Sequence, residues 1–445
     1  MANKLLVRMF DVGLGDFIYC VIPEAHDSGR DFHMVIDCGS LNGEASLRTA
    51  VPLMKAMLPT VDGKKHLDLL IVTHQHKDHM LAFGLPLWDD LSIGAMWMSV
   101  AMKPDNDQAK RARKLHELAG AAMEQAAALN LGSEFGDLFA AYAANNDTAV
   151  RNLREVLPQK NGIRPVYVSA GQSTNDGLKL PLKDAVFEVL GPEQEVDKWY
   201  LGTPKESRTS HLLELAEEGV LKSALPLPLK GGKTPTNIAA IDFRNLQNRM
   251  LATGLALSDA DGAVVNNTSV VLLVTWMGKR LLFVGDAEWE ARFKEGAANS
   301  AWNTMWNLRQ DRLKGPLDFL KIGHHGSENA TPWDEGIERD QNKPFEPAVI
   351  LESILPQSLP VAAQAAVSTK RSNYKTIPRS PLLNQLAARI ANAKSYGPIF
   401  RKAGINPATL NKFKEYEEAW FSQPQPPRTD FENITIGAAY IDIQI

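Results

Sequence analysis

Cysteine is scarce: Cys20 and Cys38 are the only two among 445 residues, and both lie in apolar N-terminal stretches. That count argues against a disulfide framework and for a reducing compartment in which both thiols are packed. Long apolar runs are also missing. No stretch of about 18 or more uncharged apolar residues occurs, and residues 1–11 lack the apolar core of a signal peptide, so neither a membrane segment nor a leader is expected. Nor does one sign of charge dominate, since 48 Lys and Arg stand against 52 Asp and Glu. A basic nucleic-acid coat is therefore not expected, although a local basic groove stays open. With 44% apolar and 22% charged residues, the composition suits a soluble, cytoplasmic protein with a sizeable core. No linker, repeat or long low-complexity segment divides the chain, so one unit over 1–445 is expected.

Histidine, by contrast, is concentrated. His74, His76, Asp78 and His79 follow directly on the apolar run at 67–72, which has the form of a buried strand. With ten histidines in the chain, His-x-His-x-Asp-His would arise by chance at fewer than about one position in a million, so the cluster has a purpose. In an extended segment His74 and His76 point the same way and can grip one ion. Asp78 and His79, where the chain turns into a helix, can reach a second. Pairs of ions a few ångströms apart are common in the hydrolysis of phosphate esters.

Other apolar segments predict strands at 5–10, 17–22, 32–36, 93–100, 165–169, 185–190, 269–275, 280–284, 317–322, 347–354 and 431–445. The first two are joined by the glycine-containing turn from Asp11 to Asp16, and the third ends in Asp37. Helices are predicted at 44–58 and 382–390. The strand at 280–284 runs into Gly285-Asp286 and that at 317–322 into Gly323-His324-His325, so three strand ends carrying ligand-type residues can meet at one edge. A helical insertion is expected over 101–160, its basic run at 110–114 forming a solvated face. A second, loop and helix, is expected over 199–250, where the proline-rich 225–233 forms a surface loop or lid.

These residues resemble the metallo-β-lactamase superfamily: the strand-end Asp37, the motif from His74 to His79, Gly285-Asp286-Ala287-Glu288, and Lys321-Ile322-Gly323-His324-His325-Gly326-Ser327. The Asp-Val-Gly-x-Gly-Asp turn and Asn266-Asn267-Thr268-Ser269 are most similar to the hydrolase domain of ComEC-type DNA-uptake proteins. The resemblance implies an α/β fold, an αββα metallo-β-lactamase sandwich with helical and loop insertions. It also implies two divalent metal ions, zinc or alternatively manganese, on His74, His76, Asp78, His79, Asp286 and one of His324 and His325, the other facing the substrate. Asp286 is the candidate bridge, because one carboxylate has two oxygens to span both ions. Asp78 and Asp37 orient ligands or take a proton, with Asp37 read mainly as an orienting group. Asn266-Asn267 stands where the wider superfamily has another histidine. Asn267, Ser327, Lys370 and Tyr374 are candidate substrate contacts, and the family's Gly-His before Pro378 is replaced by Lys375-Thr376-Ile377. His116 and His211 lie in helical patterns and are expected to stand outside the site.

The expected activity is that of a phosphodiesterase or nuclease on DNA or another nucleic acid. The alternative is hydrolysis of a small phosphodiester or an acyl ester or thioester, since a fold alone does not choose. A stand-alone hydrolase without a membrane segment could also be the effector of a larger assembly, such as a defence system, with a protein partner.

Overall fold

A computed structural model describes residues 4–127, 146–217, 255–333, 345–357, 363–369, 377–387, 389–390, 435–436 and 439–445. The chain is mixed α/β with two mixed sheets. The first takes β1 (Leu6–Phe10), β2 (Phe17–Ile22), β3 (Phe32–Cys38), β4 (Thr60–Val61), β5 (Lys64–Val72), β6 (Leu91–Ser99) and β7 (Val166–Val168). The second takes β8 (Ala185–Gly191), β9 (Val271–Trp276), β10 (Lys279–Phe283), β11 (Phe319–Lys321) and β12 (Gln364–Ala366), after which β13 (Thr435–Ile436) and β14 (Tyr440–Gln444) return to the first. The orders are β13-β14-β1-β2-β3-β5-β6-β7, with β4 on β5, and β12-β11-β10-β9-β8. β1 and β2 pair as the expected hairpin, whereas β3, β5, β6 and β7 run parallel, as do β10, β11 and β12.

Alternation along each strand builds three apolar layers. Leu69 and Ile71 of β5 face a central core shared with Leu272 and Val274 of β9 and with Leu281 and Phe283 of β10. Leu70 and Val72 point outward, towards the helix Ala45–Met57, whose Leu47, Ala50, Val51 and Met54 form one stripe. On the far side, Leu273 and Leu282 meet helices that contribute Leu115, Leu257, Trp302, Ile350 and Leu382. Strands covered on both faces read as unbroken apolar runs, which is why they stand out in the sequence.

Residues 347–354 are not the expected strand but the helix Glu346–Ile354. Pro347 fits the first turn, where its missing N–H costs nothing, and burial of Pro347, Ile350, Leu351 and Ile354 follows the helical period rather than alternation. The insertion over 101–160 is helical where described, at Lys110–Ala127 and again from Asp147 to Asn161. In the second insertion Arg208–Glu217 is helical. The lid expected at 225–233 lies outside the described residues. No helix among the described residues is long and apolar enough to cross a membrane.

Candidate metal centre

The carboxyl ends of β3, β5, β10 and β11 meet at one edge, and each delivers a polar group as its apolar run stops. β5 leads to Thr73 and His74. His76 then precedes a single helical turn, Lys77–Met80, that carries Asp78 and His79. Gly39, just past β3, lies against that turn: a Cβ there would stand 2.3 Å from the Asp78 carbonyl carbon and from the His79 nitrogen. Asp37 adopts φ +56°, in the left-handed region that aspartate tolerates better than most residues.

Asp37 acts as a clamp. Its Oδ1 accepts from the Thr73 N–H at 2.7 Å, and its Oδ2 accepts from the Thr73 hydroxyl at 2.6 Å and from His79 Nδ1 at 2.7 Å. Because the Thr73 hydrogen is committed to Asp37, Thr73 Oγ1 can only accept from His74 Nδ1, 3.0 Å away. Both imidazoles are thereby oriented with Nδ1 directed at these acceptors and Nε2 turned into the site, the orientation a metal-binding histidine needs.

Both Nε2 atoms face Asp286. Its Oδ2 lies 3.0 Å from His79 Nε2 and 3.9 Å from His74 Nε2, while His74 Nε2 stands 3.1 Å from His76 Nδ1. On the other side Asp78 Oδ2 is 3.0 Å from His325 Nε2 and 3.9 Å from His79 Nε2. Two ligands of one tetrahedral ion with bonds of about 2.1 Å stand roughly 3.4 Å apart, so these spacings bracket what an ion requires. Donor atoms of Asp78, His79, Asp286 and His325, all buried, lie within 4.8 Å of one another. Asp286 Oδ1 is buried without a hydrogen-bond partner, an omission that a cation would repair.

The electrostatics point the same way. Burial alone would favour neutral groups, yet Asp286, Asp37 and Asp78 outweigh it and hold the His79 imidazole well above its usual range. Burial likewise works against the charge of Asp286, but His79 and His324 keep its carboxyl well below the ordinary carboxylate value. His74 and His76 are pushed down by burial, towards the neutral form that binds metals. The centre attracts positive charge, and His74 and His76 offer lone pairs.

The His324-His325 pair resolves by geometry. Both residues have positive φ, +39° and +53°, a strain of about 1–3 kcal/mol each, and this turns them apart. His325 joins Asp78, and its Nδ1 lies 2.8 Å from Ser368 Oγ. His324 has its Nε2 3.9 Å from Asp286 Oδ2 and faces a cleft of about 1260 Å³ together with His76, Asp78 and Glu288.

Other expected contacts fall elsewhere. Asn267 is a brace: its Oδ1 accepts from the N–H groups of Glu288 and Ala301, and its Nδ2 donates to the Ala263 carbonyl. Its neighbour Asn266 lines the cleft, and both end the helix at 255–267 rather than forming a turn. The N–H groups of Gly326 and Ser327 are engaged with Gly323 and His324, leaving none for an anion, whereas Ser327 Oγ has no partner among the described residues. Lys370 and Tyr374 lie outside the described residues. Of the basic run, Arg111 is tied to Gly202 and Ser210 and only Arg113 reaches the cleft. His211 stands on an exposed helix face, as expected, but His116 lines the cleft.

Three groups were not singled out by the sequence. Lys321 is fully buried against Asp16, which also receives the neighbourhood of His325; the signal is a lysine inside an apolar strand. Glu288, pushed up to about 7 mainly by burial, is held by Asn266 Nδ2 at 2.8 Å. Asp261 bonds His116 across 145 residues of sequence, and nothing local announces it. No protein-family model matches the chain, and no curated protein matches it.

Proposed function

We propose that the chain is a metal-dependent hydrolase of phosphodiester bonds, built on an αββα metallo-β-lactamase framework, with a nucleic acid as substrate. The observation that carries this reading is Asp286, a buried carboxylate between two groups of imidazoles with one oxygen left unpartnered. His74, His76 and Asp286 would hold one divalent ion, and Asp78, His79, Asp286 and His325 a second, zinc or manganese being suited to this mixed nitrogen and oxygen set. Divalent ions bound there would lower the pKa of water and stabilise charge on a phosphoryl oxygen.

The chain's own groups do the positioning. Asp37 fixes the tautomers of His79 directly and of His74 through Thr73, and has no oxygen left over for substrate. His324, partly exposed on the cleft, is placed to contact a substrate oxygen, and Arg113, Arg154 and Lys77 add positive charge to the cleft lining. Exposed acids at the cleft, Glu117, Asp147 and Asp259, favour a second reading, a small phosphodiester or an acyl ester or thioester, because they repel a long polyanion.

The two readings separate in one screen. Protein loaded with zinc or manganese is incubated with single- and double-stranded DNA, RNA, cyclic nucleotides and a thioester. Cleavage of a phosphodiester is expected; turnover of the thioester alone would sink the proposal.

A further inference from the structure

The cleft lining holds two groups to which the hydrolytic reading gives no defined partner. Arg113 and His116 stand about one turn apart on the helix Lys110–Ala127, the spacing that puts two side chains on one face, and both line the cleft with His76, Asp78 and His324. Behind His116 lies Asp261 of the helix at 255–267, fully buried. His116 Nδ1–H donates to Asp261 Oδ2 at 2.8 Å, which fixes the ring and leaves Nε2 without a partner among the described residues. Burial opposes a charge on His116, but the hydrogen bond and charge of Asp261, with Glu117 and Asp147 beyond, outweigh it and raise its pKa. Asp261 Oδ1 is buried with no hydrogen-bond partner among the described residues, so the carboxylate's pull on His116 is undivided. Arg113 spends one nitrogen on the Lys103 carbonyl, at 3.3 Å, and makes no other hydrogen bond among the described residues.

The helix at 255–267 serves both this pair and the centre. Asn266 of the same helix holds Glu288 beside Asp286, and Asp261 precedes Asn266 by about five residues, roughly 7.5 Å of helix rise. That offset equals about two steps of a stacked strand at roughly 3.4 Å each. A group about that far along a strand would meet a phosphate one or two positions from the bond being cut. Glu117, Asp147 and Asp259 add exposed negative charge to the cleft lining, and against it the two donors mark a place for an anion.

We propose that Arg113 and His116, with Asp261 orienting His116, form a subsite for a non-scissile phosphate of a phosphodiester substrate. This rests on the phosphodiester reading above and adds what it lacks: selection of a substrate with a second phosphate near the cleaved bond.

Two measurements test it. Fluorescence polarisation with labelled oligothymidylate in EDTA, where no cleavage intervenes, reads the subsite apart from catalysis. Arg113→Ala and His116→Gln are each expected to weaken binding about tenfold, as loss of one charged hydrogen bond does. Arg113→Ala should also lower the slope of log K against log salt by about 0.7. Lys114→Ala, on a residue that pairs with Glu117 and does not line the cleft, should change neither. Both target side chains are partly exposed, so the fold should survive, and matched thermal melts establish that. In the metal-loaded protein, a dinucleotide carrying a terminal phosphate should show a KM at least about tenfold below that of one without it, and the ratio should fall towards one in both variants. Wild-type binding and salt slope in both variants would overturn the subsite. If wild type cuts no phosphodiester while the polarisation results hold, the hydrolytic reading fails and the anion subsite stands.

Discussion

Replacing Asp286 by asparagine keeps the shape of the side chain and removes the charge shared by both groups of ligands. That charge faces His79 Nε2 at 3.0 Å and lies 3.9 Å from both His74 Nε2 and His324 Nε2. Around it Asp16, Asp37, Asp78 and Asp286 are buried, with Lys321 and a protonated His79 opposite them. Acidic groups outnumber the cations there, and such an excess is costly in a buried site. An ion that binds only the folded chain stabilises it by about 2.7 kcal/mol at a hundred times its Kd, so two sites give about 5.4 kcal/mol. For 445 residues, an unfolding entropy of roughly 2.1 cal/mol/K per residue comes to about 0.9 kcal/mol/K, and the expected shift in Tm is about 6 °C. Asp286→Asn should lose at least half of it, because neither group is complete without the carboxylate. Melting curves of both proteins in EDTA, zinc and manganese measure this. A wild-type Tm that excess metal does not move, or an equal shift in the variant, would refute the reasoning.

Three further outcomes are expected. Asp37→Asn disturbs the tautomers of His74 and His79 together and should weaken metal binding about 10- to 100-fold in a competition titration with a chromophoric chelator; an unchanged Kd would show that Asp37 orients nothing. Glu288 carries a carboxyl raised from 4.5 to about 7, so the folded state holds its proton more tightly than the unfolded chain. Its burial therefore costs stability progressively as pH rises through that interval and fully above it, and Glu288→Gln should stabilise by up to about 3 kcal/mol near pH 8 but have no effect near pH 4; equal effects in denaturant unfolding at both pH values would contradict this. Gly39→Ala places a methyl 2.3 Å from the backbone of Asp78 and His79 and should cost about 2 kcal/mol or more, with loss of bound metal. A wild-type melt and metal content would show that this approach of β3 to the ligand turn is not needed.

Much of the candidate centre was legible because its donor groups sit where apolar strands stop. Leu67 to Val72 announces β5, and His74, His76, Asp78 and His79 follow at once; Asp286 and the His324-His325 pair follow β10 and β11 in the same way. Which of the two histidines joins Asp78 was not legible, because adjacent identical residues differ only through the positive φ each adopts in the fold. The helix Glu346–Ile354 was hidden by its apolar, β-branched composition, and only the burial of every third or fourth residue reveals it. His116 has an unremarkable helical setting in the sequence; what makes it notable is Asp261, brought to it by the packing of two distant helices. Asn267 was misleading for the opposite reason, since an amide can brace a backbone as readily as it can meet a substrate.

The central claim is that one carboxylate, Asp286, completes two adjoining metal sites. Metal content by inductively coupled plasma mass spectrometry, on the purified wild type beside His76→Ala and Asp286→Ala, tests it most directly. The wild type should carry about two divalent ions per chain, His76→Ala about one, and Asp286→Ala one or fewer, in line with a shared two-ion centre. A metal-free wild type after incubation with zinc or manganese, or the same content in all three proteins, would contradict it.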